Sequence, residues 1–238
     1  MNTGFYKDLD TNFEQAYEMS QKDFSHEELI ELLKTGNIPQ KQFAAMSLDG
    51  VNEEEAEILI SNLTGCDGKI REAVALKINQ LLNEDEKYIK YFSKYYIPLA
   101  DATIDINGNI CRLVIDSVSI LKIDKNFSDK YLEKIYAFIS ESFKGLDEII
   151  FRDKKYTINK QLFKLYWCLE SLNLFKNSIP AEKLLPILER AAMEKEYTIR
   201  EKVAHIVSGL DNEIYLPLKA ALKNDENYYV REIFNKPL

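Results

Sequence analysis

One stretch of this chain is written twice, and that repetition limits the possible folds more than any other feature. Leu185-Pro186-Ile187-Leu188 through Tyr197-Thr198-Ile199-Arg200-Glu201 returns as Leu216-Pro217-Leu218 through Tyr228-Tyr229-Val230-Arg231-Glu232. The two prolines and the two arginines are each 31 residues apart, and each proline precedes its arginine by 14. A self-match at a period of roughly 20–50 residues marks a stacked repeat. In the clearer copy, Ala181, Leu184, Leu185, Leu188, Ala191 and Ala192 recur at the spacing of a half-buried helix, with Pro186 inside it to bend it. Glu194-Lys195-Glu196 marks a turn, and Ile199, Val203, Ala204, Ile206 and Val207 form the apolar side of a second helix. Two such short helices cannot bury their stripes alone and must stack on neighbours.

Arg71 opens a third copy, Ile70-Arg71-Glu72 followed by Val74, Ala75, Ile78 and Leu81. With the arginine as anchor, weaker copies begin at Lys41 (Ala44, Ala45, Leu48), Cys111 (Val114, Ile115, Val118) and Asn159 (Leu162, Phe163, Tyr166). The anchors 41, 71, 111, 159, 200 and 231 give steps of 30, 40, 48, 41 and 31 residues. The widest step contains residues 144–157, which read as an insertion, and insertions in repeat folds project from one face. Residues 1–24 carry Phe5, Leu9, Phe13, Ala16 and Tyr17 and read as a helix capping the first pair. Ser25 and Glu28 form a capping box for the next helix, which stops at Gly36. Pro39, Asn52 and Ser128 read as helix starts, and residues 86–99 as one aromatic-rich helix.

These features resemble the HEAT repeat family, and its bacterial lyase-type variant in particular. The resemblance rests on Leu-Pro in the first helix and on Ile/Val-Arg-Glu at the second. It also rests on Asp225, six residues before Arg231, where such repeats place an acid that bonds to a ladder of arginines. Glu194 holds that place in the preceding copy, and Gly65 leaves it empty before Arg71. Arg71, Arg200, Arg231, Pro186, Pro217 and Asp225 are thus the structural anchors. The resemblance implies an all-α, right-handed superhelical solenoid of about six helix pairs, a single domain over 1–238 with the repeats at 25–238. In such a stack the second helices line the concave side, which places Lys77, Asp116, Lys164 and His205 on a binding surface of mixed charge.

Composition sets the remaining bounds. At 46% hydrophobic residues the chain reads as an ordinary water-exposed globular protein, and it holds no apolar run of about 18 residues for a membrane span. The N-terminus lacks the layout of a signal peptide. The three cysteines, Cys66, Cys111 and Cys168, lie far apart and read as buried thiols of a reducing cytoplasm. The net charge of −8 is uneven, because residues 1–60 hold 13 acids and 4 bases. That end opposes nucleic acid and anionic membrane and favours a basic protein partner. Lys87, Lys90 and Lys94 alternate with Tyr88, Tyr91 and Tyr95, as when rings face a core and ammoniums face water. His26 and His205 are the only histidines, which opposes a zinc site. No phosphate loop, nucleophile elbow or catalytic triad spacing is present.

The expectation is therefore a cytoplasmic, non-catalytic protein-interaction scaffold with no catalytic, cofactor or metal residues. The resemblance also implies two alternatives. Some lyase-type HEAT proteins attach or detach bilins. HEAT-like alkylpurine DNA glycosylases use a Trp, an Asp and an Arg, which this chain matches only as Trp167, Asp116 and Arg112 or Arg200.

Overall fold

The structure is a computed structural model that describes residues 14, 17–148 and 155–235, with no side-chain description at 155–159. The expected capping helix over 1–24 lies mostly outside the described residues. Every regular element among the described residues is helical: α1 (His26–Thr35), α2 (Ile38–Ser47), α3 (Glu53–Ser61), α4 (Gly68–Glu84), α5 (Lys87–Phe92), α6 (Tyr96–Thr103), α7 (Gly108–Leu121), α8 (Lys125–Asp147), α9 (Lys155–Phe175), α10 (Ala181–Ala192), α11 (Tyr197–Ser208), a 3-10 turn (Glu213–Tyr215), α12 (Leu216–Lys223) and α13 (Tyr228–Glu232). None is long and apolar enough to cross a membrane.

Short polar residues set the helix starts. Ser25 with Glu28, Asn37 with Gln40, and Asn52 with Glu55 each close a full capping box. Asp67, Asn107 and Asn227 cap α4, α7 and α13 through their side chains. Each such cap is worth about 1 kcal/mol. Gly36 ends α1 because nothing larger fits: a Cβ there would run into the Leu32 carbonyl oxygen and the Gln40 side chain.

The chain divides into two compact units that meet at Ser128 and Asp129. In the first, α1/α2, α3/α4 and α5–α6/α7 are successive helix pairs, with α2 packed on α4 and α4 on α7. Ala44, Ala45 and Leu48, then Val74, Ala75 and Ile78, then Val114, Ile115 and Val118 are all fully or almost fully buried along this row. In the second, α9, α11 and α13 form the corresponding row. Tyr131 of α8 reaches Ser171 and Phe175 of α9. The six anchors fall on α2, α4, α7, α9, α11 and α13.

Four local expectations change. The helix expected over 86–99 is two helices broken at Ser93–Tyr95. Continued through, Pro98 would clash with the Lys94 carbonyl, whereas a fresh start at Tyr96 puts it in the first turn. The long helix starts three residues before Ser128. Asp124 accepts from the Phe127 amide, and the Ser128 hydroxyl instead donates to the Lys122 carbonyl. Residues 144–147 and 155–157 are helical, and 149–154 lie outside the described residues. The two prolines also differ in role: Pro186 is inside α10 while Pro217 is in the first turn of α12.

Candidate functional site

The arginine anchors are structural joints. The Nη1 of Arg71 donates to the Gly65 carbonyl six residues back at 2.8 Å, while Nε and Nη2 fork the Asp105 carboxylate at 2.7 and 3.1 Å. Arg200 repeats this with the Glu194 carbonyl at 2.8 Å and with Asp225 at 2.7 and 3.0 Å. Both guanidiniums are buried. Each therefore binds backward to its own turn and forward to the aspartate of the next helix pair. Paired, hydrogen-bonded charge is the condition under which burial is tolerated. The Arg200 guanidinium beside Asp225 holds that carboxyl below the usual carboxylate range.

The degenerate anchors show how the joint decays. Cys111 stands where arginine would, and its thiol donates to the Asp105 carbonyl six residues back at 3.0 Å. Burial, with the Asp105 carboxylate beside it, pushes this thiol up to about 12. Lys41 faces a next pair with glycine at the acid position, and its ammonium goes to Asn62 Oδ1 at 3.0 Å. Cys168 is buried, but Cys66 is exposed, contrary to the expectation of three buried thiols, because the turn that holds it lies outside the helix rows.

The four residues expected on a binding surface meet different fates. Lys77 is buried, and its ammonium donates to the Leu48 carbonyl at 2.6 Å, where a cation complements the end of α2. Lys164 pairs with Glu141 at 2.6 Å and lies over the Phe138 ring, so it serves the contact between α9 and α8. Asp116 on α7 and His205 on α11 are exposed.

Among the described residues, a largely apolar cleft of about 330 Å³ lies between α9 and α11, lined by Leu162, Phe163, Tyr166, Trp167, Glu196 and Thr198. Leu162 and Tyr166, and Phe163 and Trp167, are one helical turn apart, so α9 presents two adjacent apolar stripes. Tyr166 and Trp167 meet edge to face at 5.2 Å, and Phe163 and Trp167 at 6.0 Å. Trp167 is 8% exposed and Phe163 is 37% exposed. The indole N–H of Trp167 finds no acceptor among the described residues. At the rim, Glu196 caps α11 and accepts from the Thr198 amide and hydroxyl at 3.5 and 3.2 Å. Lys202 lies over the outer side of this cluster, 4.7 Å from the Tyr166 ring centroid and 2.5 Å from Glu170.

Sequence reasoning took Leu162, Phe163 and Tyr166 for core at the Asn159 anchor. The fully buried stripe of α9 is instead Leu165, Cys168, Leu169 and Leu172. Relative to the arginines, this core begins six residues later than the Asn159 register, which turns the 162, 163, 166 row outward into the cleft. The sign in the sequence was two apolar stripes on one helix, more than one neighbour can cover. Trp167 itself was singled out, as the tryptophan that the DNA glycosylase resemblance would use. Arg200, offered as its companion, is committed to Asp225 and to the Glu194 and Lys195 carbonyls.

No protein-family model and no curated protein matches the chain by sequence. Solved structures do match it. An engineered protein from the Northeast Structural Genomics Consortium aligns over 90% of this chain and 96% of its own, at 11% identity and a TM-score of 0.54. The complex of CpcE and CpcF of phycocyanin lyase from Nostoc sp. PCC7120 aligns over 90% and 75%, at 14% identity and a TM-score of 0.50. A designed armadillo repeat protein in complex with the peptide (KR)4 aligns over 87% and 95%, at 12% identity and a TM-score of 0.43. At these identities the likeness is one of fold, carried by the first two of these structures, and the fold of this chain is an all-α repeat solenoid of the HEAT type.

Proposed function

We propose that this chain is a non-catalytic protein-interaction module, working in the cytoplasm, that seats a segment of a protein partner in the aromatic cleft of its second unit. The observation that carries the reading is the cleft itself. Three rings and Leu162 offer apolar area of the kind that dominates protein contacts, and one carboxylate sits at the rim. Among the described residues that line the cleft none is a cation, Lys202 beside Tyr166 is paired with Glu170, and the chain carries a net charge of −8, all of which disfavour a polyanion. The seated segment places a large apolar side chain against Phe163 and Trp167 and a basic residue within reach of Glu196. The acid excess of residues 1–60 favours the same sign of partner.

Trp167 is the sole tryptophan and reports directly on the cleft. The test is selection of peptides from a random library on the full chain, then titration of the winners while Trp167 emission is followed. Peptides pairing an aromatic or long aliphatic residue with Lys or Arg should be enriched and should shift the emission. Phe163→Ala should weaken them at least tenfold, and Glu196→Gln by about threefold, in line with a half-buried carboxylate at a rim still open to water. Winners that bind Phe163→Ala unchanged would overturn the reading, as would a visible absorbance change with a bilin where no peptide binds.

A further inference from the structure

Three arginines occupy one register, and their surroundings differ in one respect. Arg71, Arg200 and Arg231 each send Nη1 to the carbonyl six residues back, at 2.8, 2.8 and 2.5 Å. Arg200 and Arg231 also share a second contact, to the carbonyls of Lys195 and Glu226, each at 2.8 Å. The guanidinium of Arg231 is therefore held as that of Arg200 is. The edge made by Nε and Nη2 is where they part. On Arg71 it grips Asp105 and on Arg200 it grips Asp225, while among the described residues no carboxylate meets it on Arg231. Arg231 is half-buried where the other two are buried.

The two occupied edges say what belongs in the third. Both aspartates sit in the same turn, Asp105-Ile106-Asn107 and Asp225-Glu226-Asn227. In each, the aspartate Oδ1 accepts from the asparagine amide at 2.8 Å. The asparagine side chain then accepts from the amide two residues on at 2.9 Å and so opens a helix. The arginine thus reads a carboxylate held rigid by an Asp-x-Asn helix start. A second feature lies beside it. Tyr197 stacks on Tyr229 with ring centroids 5.9 Å apart, and Tyr229 is still 58% exposed, with Tyr228 at 59%. A guanidinium fork selects a planar carboxylate, and flanking exposed tyrosines supply contact area at small entropic cost.

We infer that the outer face of α13, centred on Arg231, is a docking face for a protein partner that presents an Asp-x-Asn turn at the start of a helix. The contact reproduces between two chains the joint that Arg200 and Asp225 make within one. It is separate from the α9–α11 cleft and stands or falls independently of it.

The test uses full-length chain labelled with 15N, its Arg231 Nε resonance assigned by loss in Arg231→Lys. The probe is a synthetic peptide copy of residues 212–235, which carries the Asp225-Glu226-Asn227 turn. The Arg231 signal should shift on titration. Binding should weaken at least tenfold with the Asp225→Asn peptide, and equally for Arg231→Lys, which keeps the charge and loses the fork. Because short helices are marginal in a free peptide, a tandem chain repeats residues 205–235 after Asn235 in the 31-residue register. Its Arg231 Nε–H should become protected from exchange, and the Asp→Asn change in the added copy should undo this. Equal effects of the Asp and Asn forms would overturn the inference. So would an unmoved resonance in both peptide and tandem, or an Nε–H already protected in the chain alone.

Discussion

Lys41 and Arg200 hold the same place at the start of a second helix, yet one is a joint and the other is not. Arg200 ties two helix pairs through a buried carboxylate, whereas the ammonium of Lys41 goes to the neutral side chain of Asn62. The difference lies less in the cation than in the residue at the acid position of the next pair, Asp225 in one case and in the other Gly65, which has no side chain to offer and leaves Lys41 to Asn62. A joint of this kind belongs to two successive pairs, and losing either half dissolves it. The comparison also explains Cys111, where the arginine is gone but the backward contact to a carbonyl persists through a thiol.

The sharpest way to break the contrast is to remove the stronger member. Arg200→Ala leaves Asp225 buried without its partner and frees two carbonyls, and should cost about 3–5 kcal/mol in urea unfolding. Arg231→Ala, with only the backward contacts to lose, should cost about 1 kcal/mol. Similar losses at the two sites would refute the two-sided joint. Building the missing half is the converse. Space is open beside Gly65, with the nearest heavy atom 3.9 Å from an added Cβ. Lys41→Arg with Gly65→Asp should be more stable than the sum of the single variants by about 1 kcal/mol in a double-mutant cycle.

Acid should act on the same joint. Asp225 is depressed in the folded chain, chiefly by its hydrogen bonds from Arg200. Its contribution is complete above the unfolded carboxylate value of about 3.9 and disappears as pH falls through the lower, folded value. Unfolding midpoints from pH 7 to pH 2 should therefore fall below about pH 4, and Asp225→Asn should flatten that part of the profile. The smallest effect concerns the thiols. With Cys111 pushed up to about 12 and Cys168 buried, only exposed Cys66 should react with a disulfide reagent at pH 8 in the native chain. All three should react once urea unfolds it.

Much of this was legible from spacing. The offsets after Lys41, Arg71, Cys111 and Arg200 mark buried residues because one helix face repeats every three to four positions, and that period needs no tertiary knowledge. The acid six residues before an arginine was visible too, although the arginine it grips is the one before, since sequence separation does not say which of two neighbours lies closer in space. The cleft was legible only as a surplus of apolar stripes on one helix, without its place. Leu162, Phe163 and Tyr166 have the composition of a core, and only the packing of α9 decides that Leu165 and Leu169 go inside instead. Lys77 was misjudged for a related reason. Its hydrocarbon stem can lie in an apolar row while its ammonium reaches a helix end, and no pattern of types reports such a reach.

The forward direction of the arginine joints has a consequence for a chain made from its N-terminus. Arg71 must wait 34 residues for Asp105, and Arg200 must wait 25 for Asp225. During translation at about 5–20 residues per second, the pairs that follow Arg71 and Arg200 emerge onto a neighbour whose guanidinium still lacks its carboxylate. The arriving aspartate closes that ion pair as it docks, so each of these two clasps is ordered in time as well as in space.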